Sequence, residues 1–216
     1  VVDFTSCVPI CGATASAVAS TGVIVAGTQQ LTDPGFGTFH YCVPANTTFE
    51  PTVTGTGYAT FVYGEIKGQL SIQMPQFGMI TQDTLMAFSS VISGGINMAD
   101  GALVTFVFNE DGCGDTNYAA GWTMSLIDES GNPYPAGGYT TLYIDASGLP
   151  SESATSTSPY GVELIYNIDP SIAQYPTLVV TPPAGSACQP VNSFVGFTGR
   201  IEVGPGIFSE QGVFVE

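Results

Sequence analysis

One histidine and five cysteines carry most of the reactive chemistry available to this chain. Cys7 and Cys11 stand in "VVDFTSCVPICGA", and His40 stands two residues before Cys42 in "FHYC". Three thiolates and one imidazole suit a tetrahedral zinc or iron site, and the C-x-x-x-C and H-x-C spacings permit it. An oxidising compartment favours disulfides instead. The expectation is one bridge from Cys7 or Cys11 to Cys42, with the odd thiol left over or paired with another chain. Cys113 and Cys188 fall in Gly- or Pro-rich loops of the second half and are expected to bridge. Closing so long a loop is worth about 4 kcal/mol in the chain-entropy picture.

Counting removes most catalytic classes. A Ser-His-Asp triad would need His40, and no G-x-S-x-G elbow is present. A blue-copper centre needs two histidines. There is no P-loop, G-x-G-x-x-G or C-x-x-C-H. Carboxylate-only hydrolysis survives the count, since a glycosidase needs only two acids at a set separation. Glutamic peptidases are acidic β-sandwiches that act through a Gln/Glu pair, but their Trp-rich motifs are absent and Trp122 is the sole tryptophan. The chain is read as a non-enzyme, with an acid-acting hydrolase as the remote alternative.

Three further groups bear on ligands and modification. "NEDGCGDTN" places hard oxygen donors in one Gly-rich loop, and Asn109, Asp111 and Asp115 are the candidate calcium ligands. The spacing is not that of an EF-hand, and a hydrogen-bonded turn is the plain alternative. No other cofactor is expected. Lys67 in "GEIKGQL" is read as a solvated strand lysine rather than half of a Lys–Asn isopeptide bond. Asn46 in "ANTTF" is an N-glycosylation acceptor pattern.

The net charge of -16 comes from missing cations, not from an excess of acids: Lys67 and Arg200 stand against eighteen carboxylates. Phosphate neutralisation needs several Lys or Arg, so nucleic acids and anionic membranes are excluded as partners. A trypsin-like protease has at most two side chains to aim at. In acid the carboxylates discharge without leaving unpaired buried cations. Mean hydropathy is +0.28, yet no apolar run reaches the roughly 18–20 residues of a membrane span. Part of the apolar surface is expected to lie in a large β core or beneath neighbouring subunits. The chain opens on Val1 without a basic leader and is read as a mature, secreted product.

The elements that must position these residues are strands. "GVIVAG", "TGYATFVYG", "ALVTFVF", "GWTMSLID", "YTTLYID", "GVELIYNI", "PTLVVTP" and "QGVFVE" are rich in β-branched and aromatic residues and are bounded by Gly, Pro, Asn and Asp. One stretch, Thr81–Ile92, has the pattern of a short helix. The fold expected is all-β, a sandwich of two packed β units, with a closed barrel as the alternative. The divisions are an N-terminal arm or edge strand over 1–20, a Gly/Thr-rich β unit over 21–96 and a sandwich over 97–216. The polar loop Ser147–Gly161 is expected to be exposed and flexible.

From about Asn97 to Val215 the chain resembles the carboxypeptidase-regulatory-like (transthyretin-like) β-sandwich. The residues concerned are "GALVTFVFNEDGCGD", "GWTMSLIDESGNPYPAGGYTTLYIDASG", "YGVELIYNIDPS" and "YPTLVVTPPAGS". Asp128, Gly131 and Pro133 fill the family's first turn, and Asp145 and Gly148 fill the second. The departures are Asp169-Pro170-Ser171 at the third turn and the long Ser-rich loop. The resemblance implies a non-enzymatic secreted domain used for structure, adhesion or display. Immunoglobulin-like and jelly-roll-like sandwiches share the same strand pattern.

Together these features point to an extracellular structural subunit that assembles with copies of itself into a filament, fibre or surface layer. The arm Val1–Val8 would add as a β-strand to the next subunit, with Val1, Val2, Asp3 and Phe4 as assembly residues and alternate side chains such as Val2 and Phe4 giving register. The alternative is a monomeric secreted module that binds carbohydrate or calcium, with glycans meeting exposed Tyr134, Tyr139 or Tyr160.

Overall fold

The computed structural model describes residues 2–3, 14–19, 24–26, 28–29, 39–40, 48–64, 66–67, 78–109, 117–191 and 199–215. In chain order the first strands are β1 (Val2–Asp3), β2 (Thr14–Ala19), β3 (Ile24–Ala26), β4 (Thr28–Gln29) and β5 (Phe39–His40). They are followed by β6 (Thr48–Thr54), β7 (Thr60–Tyr63), β8 (Ile66–Lys67), β9 (Gly78–Met79) and helix α1 (Gln82–Val91). Then come β10 (Gly101–Asn109), β11 (Thr123–Ile127), β12 (Thr140–Ile144), β13 (Pro150–Ser151) and β14 (Val162–Ile168). The last are β15 (Thr177–Thr181), β16 (Pro190–Val191) and β17 (Ile207–Val215).

A large mixed sheet runs β13-β12-β14-β10-β17-β7-β6-β2-β3, with β8 against β6 and β16 against β17. Its centre is parallel: β17 runs alongside β10 on one side and β7 on the other. β17 comes from the second half of the chain and β7 from the first, so the sheet continues across the 96/97 division. A second sheet, β11 with β15, lies over one face. Residues 199–203 extend it: the Leu178 amide donates to the Gly199 carbonyl and the Ile201 amide to that of Pro176. The fold is an all-β, sandwich-like one, with a single helix among the described residues.

The sequence of β10, "GALVTFVFN", has no polar alternation because both of its faces are buried. Leu103 and Val107 point toward the small sheet and pack with Trp122, Met124, Leu126 and Ile201. Ala102 and Val104 point the other way and pack with Phe61, Met79, Leu85 and Phe208. Leu85 and Ile92 bring α1 onto that second face. The helix spans the expected stretch, with Thr81 as N-cap accepting the Thr84 amide at 3.0 Å and Ile92 as C-cap.

The Asp turns read from the sequence form as such. Asp128 Oδ1 accepts the Ser130 and Asn132 amides, each at 2.8 Å, and Asp145 Oδ1 accepts those of Ser147 and Leu149 at 2.8 and 3.1 Å. The Ser-rich loop differs from its expected looseness. Thr157 is buried, its hydroxyl donating to the Ala119 carbonyl and accepting the Trp122 amide, so the loop is clasped to the core at that point. Asn167, at φ 54°, sits where the β10–β14 register slips. Its amide side chain bonds the Asn97 amide and the Gly95 carbonyl, tying the segment after α1 to the sheet.

Candidate functional site

The chemistry-bearing groups that the fold brings together lie between the two sheets. Register places Tyr143 of β12 opposite Glu163 of β14, Glu163 opposite Thr105 of β10, and Thr105 opposite Gln211 of β17. Thr105 bonds Met124 of the small sheet, and Gln211 is two residues from Val213 in the same core layer, so the row faces the small sheet. Four consecutive strands thus carry a line of polar side chains through an apolar layer. Glu163 and Thr105 are 0% exposed and Gln211 2%, so solvent does not reach them. The Thr105 hydroxyl sits 2.7 Å from Met124 Sδ and 3.2 Å from the Glu163 carbonyl oxygen.

The row is incompletely satisfied. Neither carboxyl oxygen of Glu163 nor Oε1 of Gln211 has a hydrogen-bond partner. Burial pushes the Glu163 carboxyl up to about 8, and the nearby Tyr143 hydroxyl offsets only part of that. Glu163 is therefore a neutral acid at pH 7. Burial also raises the Tyr143 phenol, with the Glu163 carboxyl adding to the effect.

A second acid–tyrosine pair occupies the opposite face. Glu210 of β17 stands opposite Tyr63 of β7, and burial raises its carboxyl to about 7. The Tyr63 phenol is raised by burial first and by Glu210 second. At the edge of the small sheet, the Arg200 guanidinium lies 4.1 Å from the centre of the Tyr175 ring. Glu202 there is raised by burial, with Arg200 opposing.

The residues singled out from sequence are not part of this row. Asn109 ends β10, and its amide donates to the Asn117 carbonyl at 3.0 Å, closing the loop that holds Asp111 and Asp115. Those two aspartates lie outside the described residues, as do Val1, Phe4, Cys7, Cys11, Cys42, Asn46 and Cys113. Cys188 is disulfide-bonded. His40 and Lys67 are placed by backbone, in β5 and β8. Among the described residues no group of three or more His, Cys, Asp or Glu is arranged to hold a metal ion. Tyr134, expected on the surface, is buried and donates to the Ala173 carbonyl at 3.0 Å, with Tyr139 edge-on to it. Its position after the Asp128 turn swings it inward, where the hydroxyl finds a backbone acceptor. Tyr160 is the exposed one of the three, at 47%.

The row itself was missed from sequence. The available signal was a Glu inside "GVELIYNI" and a Thr inside "ALVTFVF", each in a run too apolar to have a solvent face.

No family model, curated protein or solved structure matches the chain.

Proposed function

We propose that the chain is an extracellular structural subunit that assembles with copies of itself, the segment Val1–Phe4 adding as a strand to a neighbouring copy. The observation that carries this reading is the placement of β1. Among the described residues it joins no strand of the large sheet and pairs with β9, in parallel, Val2 to Gly78 and Asp3 to Met79. This pairing can be exchanged for the same pairing in a second copy, at little net cost in contacts. The near-absence of Lys and Arg and the apolar composition favour a subunit built for dense contact outside the cell. Disulfides persist in that compartment, and Cys113 is the partner we assign to Cys188.

The test is deletion of residues 1–5 followed by negative-stain imaging of natively purified protein. The full chain is expected to form ordered fibres or sheets and the truncated chain folded monomers. Assembly by the truncated chain would overturn the arm mechanism. Uniform monomers from the full chain would overturn self-assembly altogether. They would move the assignment to a glycan-binding module centred on exposed Tyr160, which lies over Gly148 and beside exposed Leu149.

A further inference from the structure

Residues 147–160 hold seven Ser or Thr hydroxyls and two prolines, with Glu152 as the one charge. Such a composition marks segments that carry O-linked sugar. The structure sorts the hydroxyls. Thr157 is buried and donates to the Ala119 carbonyl. Ser151 accepts the Ala154 amide and Ser158 the Tyr160 amide, so these three serve the loop's own shape. Ser147, Ser153 and Thr155 are exposed, Ser153 keeping a 3.1 Å contact with Ser151 Oγ. The backbone that presents Ser153 and Thr155 is fastened on both sides. Glu152 accepts the Ser93 amide at 2.6 Å, and Thr157 clasps the core. Next to Ser147 lies an apolar patch: the Tyr160 ring, 47% exposed, over Gly148, with Leu149 exposed at 62%.

We propose that Ser147, Ser153 and Thr155 are acceptors of O-linked sugar. The co-reactant is a sugar activated by phosphate at its anomeric carbon. The hydroxyl oxygen bonds that carbon as the bond from the carbon to phosphate oxygen breaks. The hydroxyl proton leaves with the phosphate, and nothing is oxidised or reduced. The loop's charge selects sugar over phosphate as the modification. A phosphate on Ser153 would stand beside Glu152, and one on Ser147 beside Asp145, whose carboxylate already accepts the Ser147 amide. Lys67 and Arg200 are the only cations of the chain, and Arg200 is engaged on the Tyr175 ring. A neutral sugar meets no such repulsion. The apolar patch supplies a second reason. The C–H face of a sugar ring on Ser147 can pack on Tyr160 and Leu149, covering apolar surface otherwise left to water. The sugar also adds a hydrated layer to a chain of positive mean hydropathy. The inference does not depend on the self-assembly reading, which imaging tests separately.

The test is mass spectrometry of the full chain from its native source, intact and as a peptic digest. The peptide spanning 147–160 is expected above its sequence mass by sugar-sized steps. Alkaline β-elimination should remove that excess and leave dehydrated residues at 147, 153 and 155. Sequence mass for this peptide would overturn the proposal, and so would an increment that a phosphatase removes. The variant carrying Ser147→Ala, Ser153→Ala and Thr155→Ala, made in the same host, should return the peptide to its sequence mass. Sugar that persists there would overturn the assignment to these three residues. If the variant does not fold, β-elimination of the wild type decides alone: dehydrated residues confined to 151, 156, 157 or 158 overturn it.

Discussion

Glu163→Gln should convert a protein that weakens with rising pH into one that weakens much less. In the folded state the Glu163 carboxyl is lifted from 4.5 to about 8. Between those values the folded protein holds a proton that the unfolded chain has released, so stability falls as pH rises through the interval. Below it Glu163 contributes no penalty, and above it the penalty is complete. At about 1.4 kcal/mol per pH unit of separation, the full penalty is about 5 kcal/mol. A glutamine keeps the shape and cannot ionise, so this penalty disappears. Glu210, lifted to about 7, leaves the variant a residual slope worth about 3 kcal/mol by the same reasoning. For a chain of this size about 2–4 °C accompanies each kcal/mol, so the wild type should lose about 10–20 °C more than the variant between pH 4.5 and pH 9. Thermal unfolding followed by circular dichroism across that range measures it. Parallel curves for the two proteins would refute the placement of an unpaired acid in the core.

Two other substitutions test the fold. Gly161→Ala puts a methyl at φ 62°, 2.6 Å from the Val107 carbonyl oxygen and 2.8 Å from Tyr118 Cβ. It should cost more than about 2 kcal/mol. Gly185→Ala, also at positive φ but with nothing within 4 Å, should cost about 1–2 kcal/mol. Chemical denaturation of the two ranks strain against collision, and equal losses would deny the close approach at Gly161. Thr81→Ala removes the oxygen that caps α1 and should cost about 1 kcal/mol, read as a lower denaturation midpoint with unchanged slope.

What could be read from sequence was what depends on local rules. Thr81–Ile92 carries its own cap and an apolar stripe, so its helix needs no distant partner to be seen. The Asp128 and Asp145 turns are fixed by side chains that bond amides two and four residues on. Strand identity was legible in "ALVTFVF" and "PTLVVTP", whose β-branched and aromatic residues suit a pleated surface. Pairing was not. Nothing local in "QGVFVE" says that it enters between β7 and β10, because that choice is made by surfaces far away in sequence. For the same reason the buried row was invisible: Thr105, Glu163 and Gln211 become neighbours only through register. Tyr134 was expected on the surface, and the backbone acceptor at Ala173 that its hydroxyl reaches in the core is 39 residues on.

The position of β17 has a consequence for the order in which the molecule can be built. It is the last strand in sequence among those described, yet it occupies the middle of the large sheet. Until it arrives, β13-β12-β14-β10 and β7-β6-β2-β3 are two separate ribbons, and among the described strands none but β17 pairs with both. Local folding can prepare the ribbons but cannot join them, and closure waits on contacts as remote as Phe61 with Phe208. Such a topology folds slowly and late. The last nine-residue strand thus acts as a keystone between two ribbons that form without it.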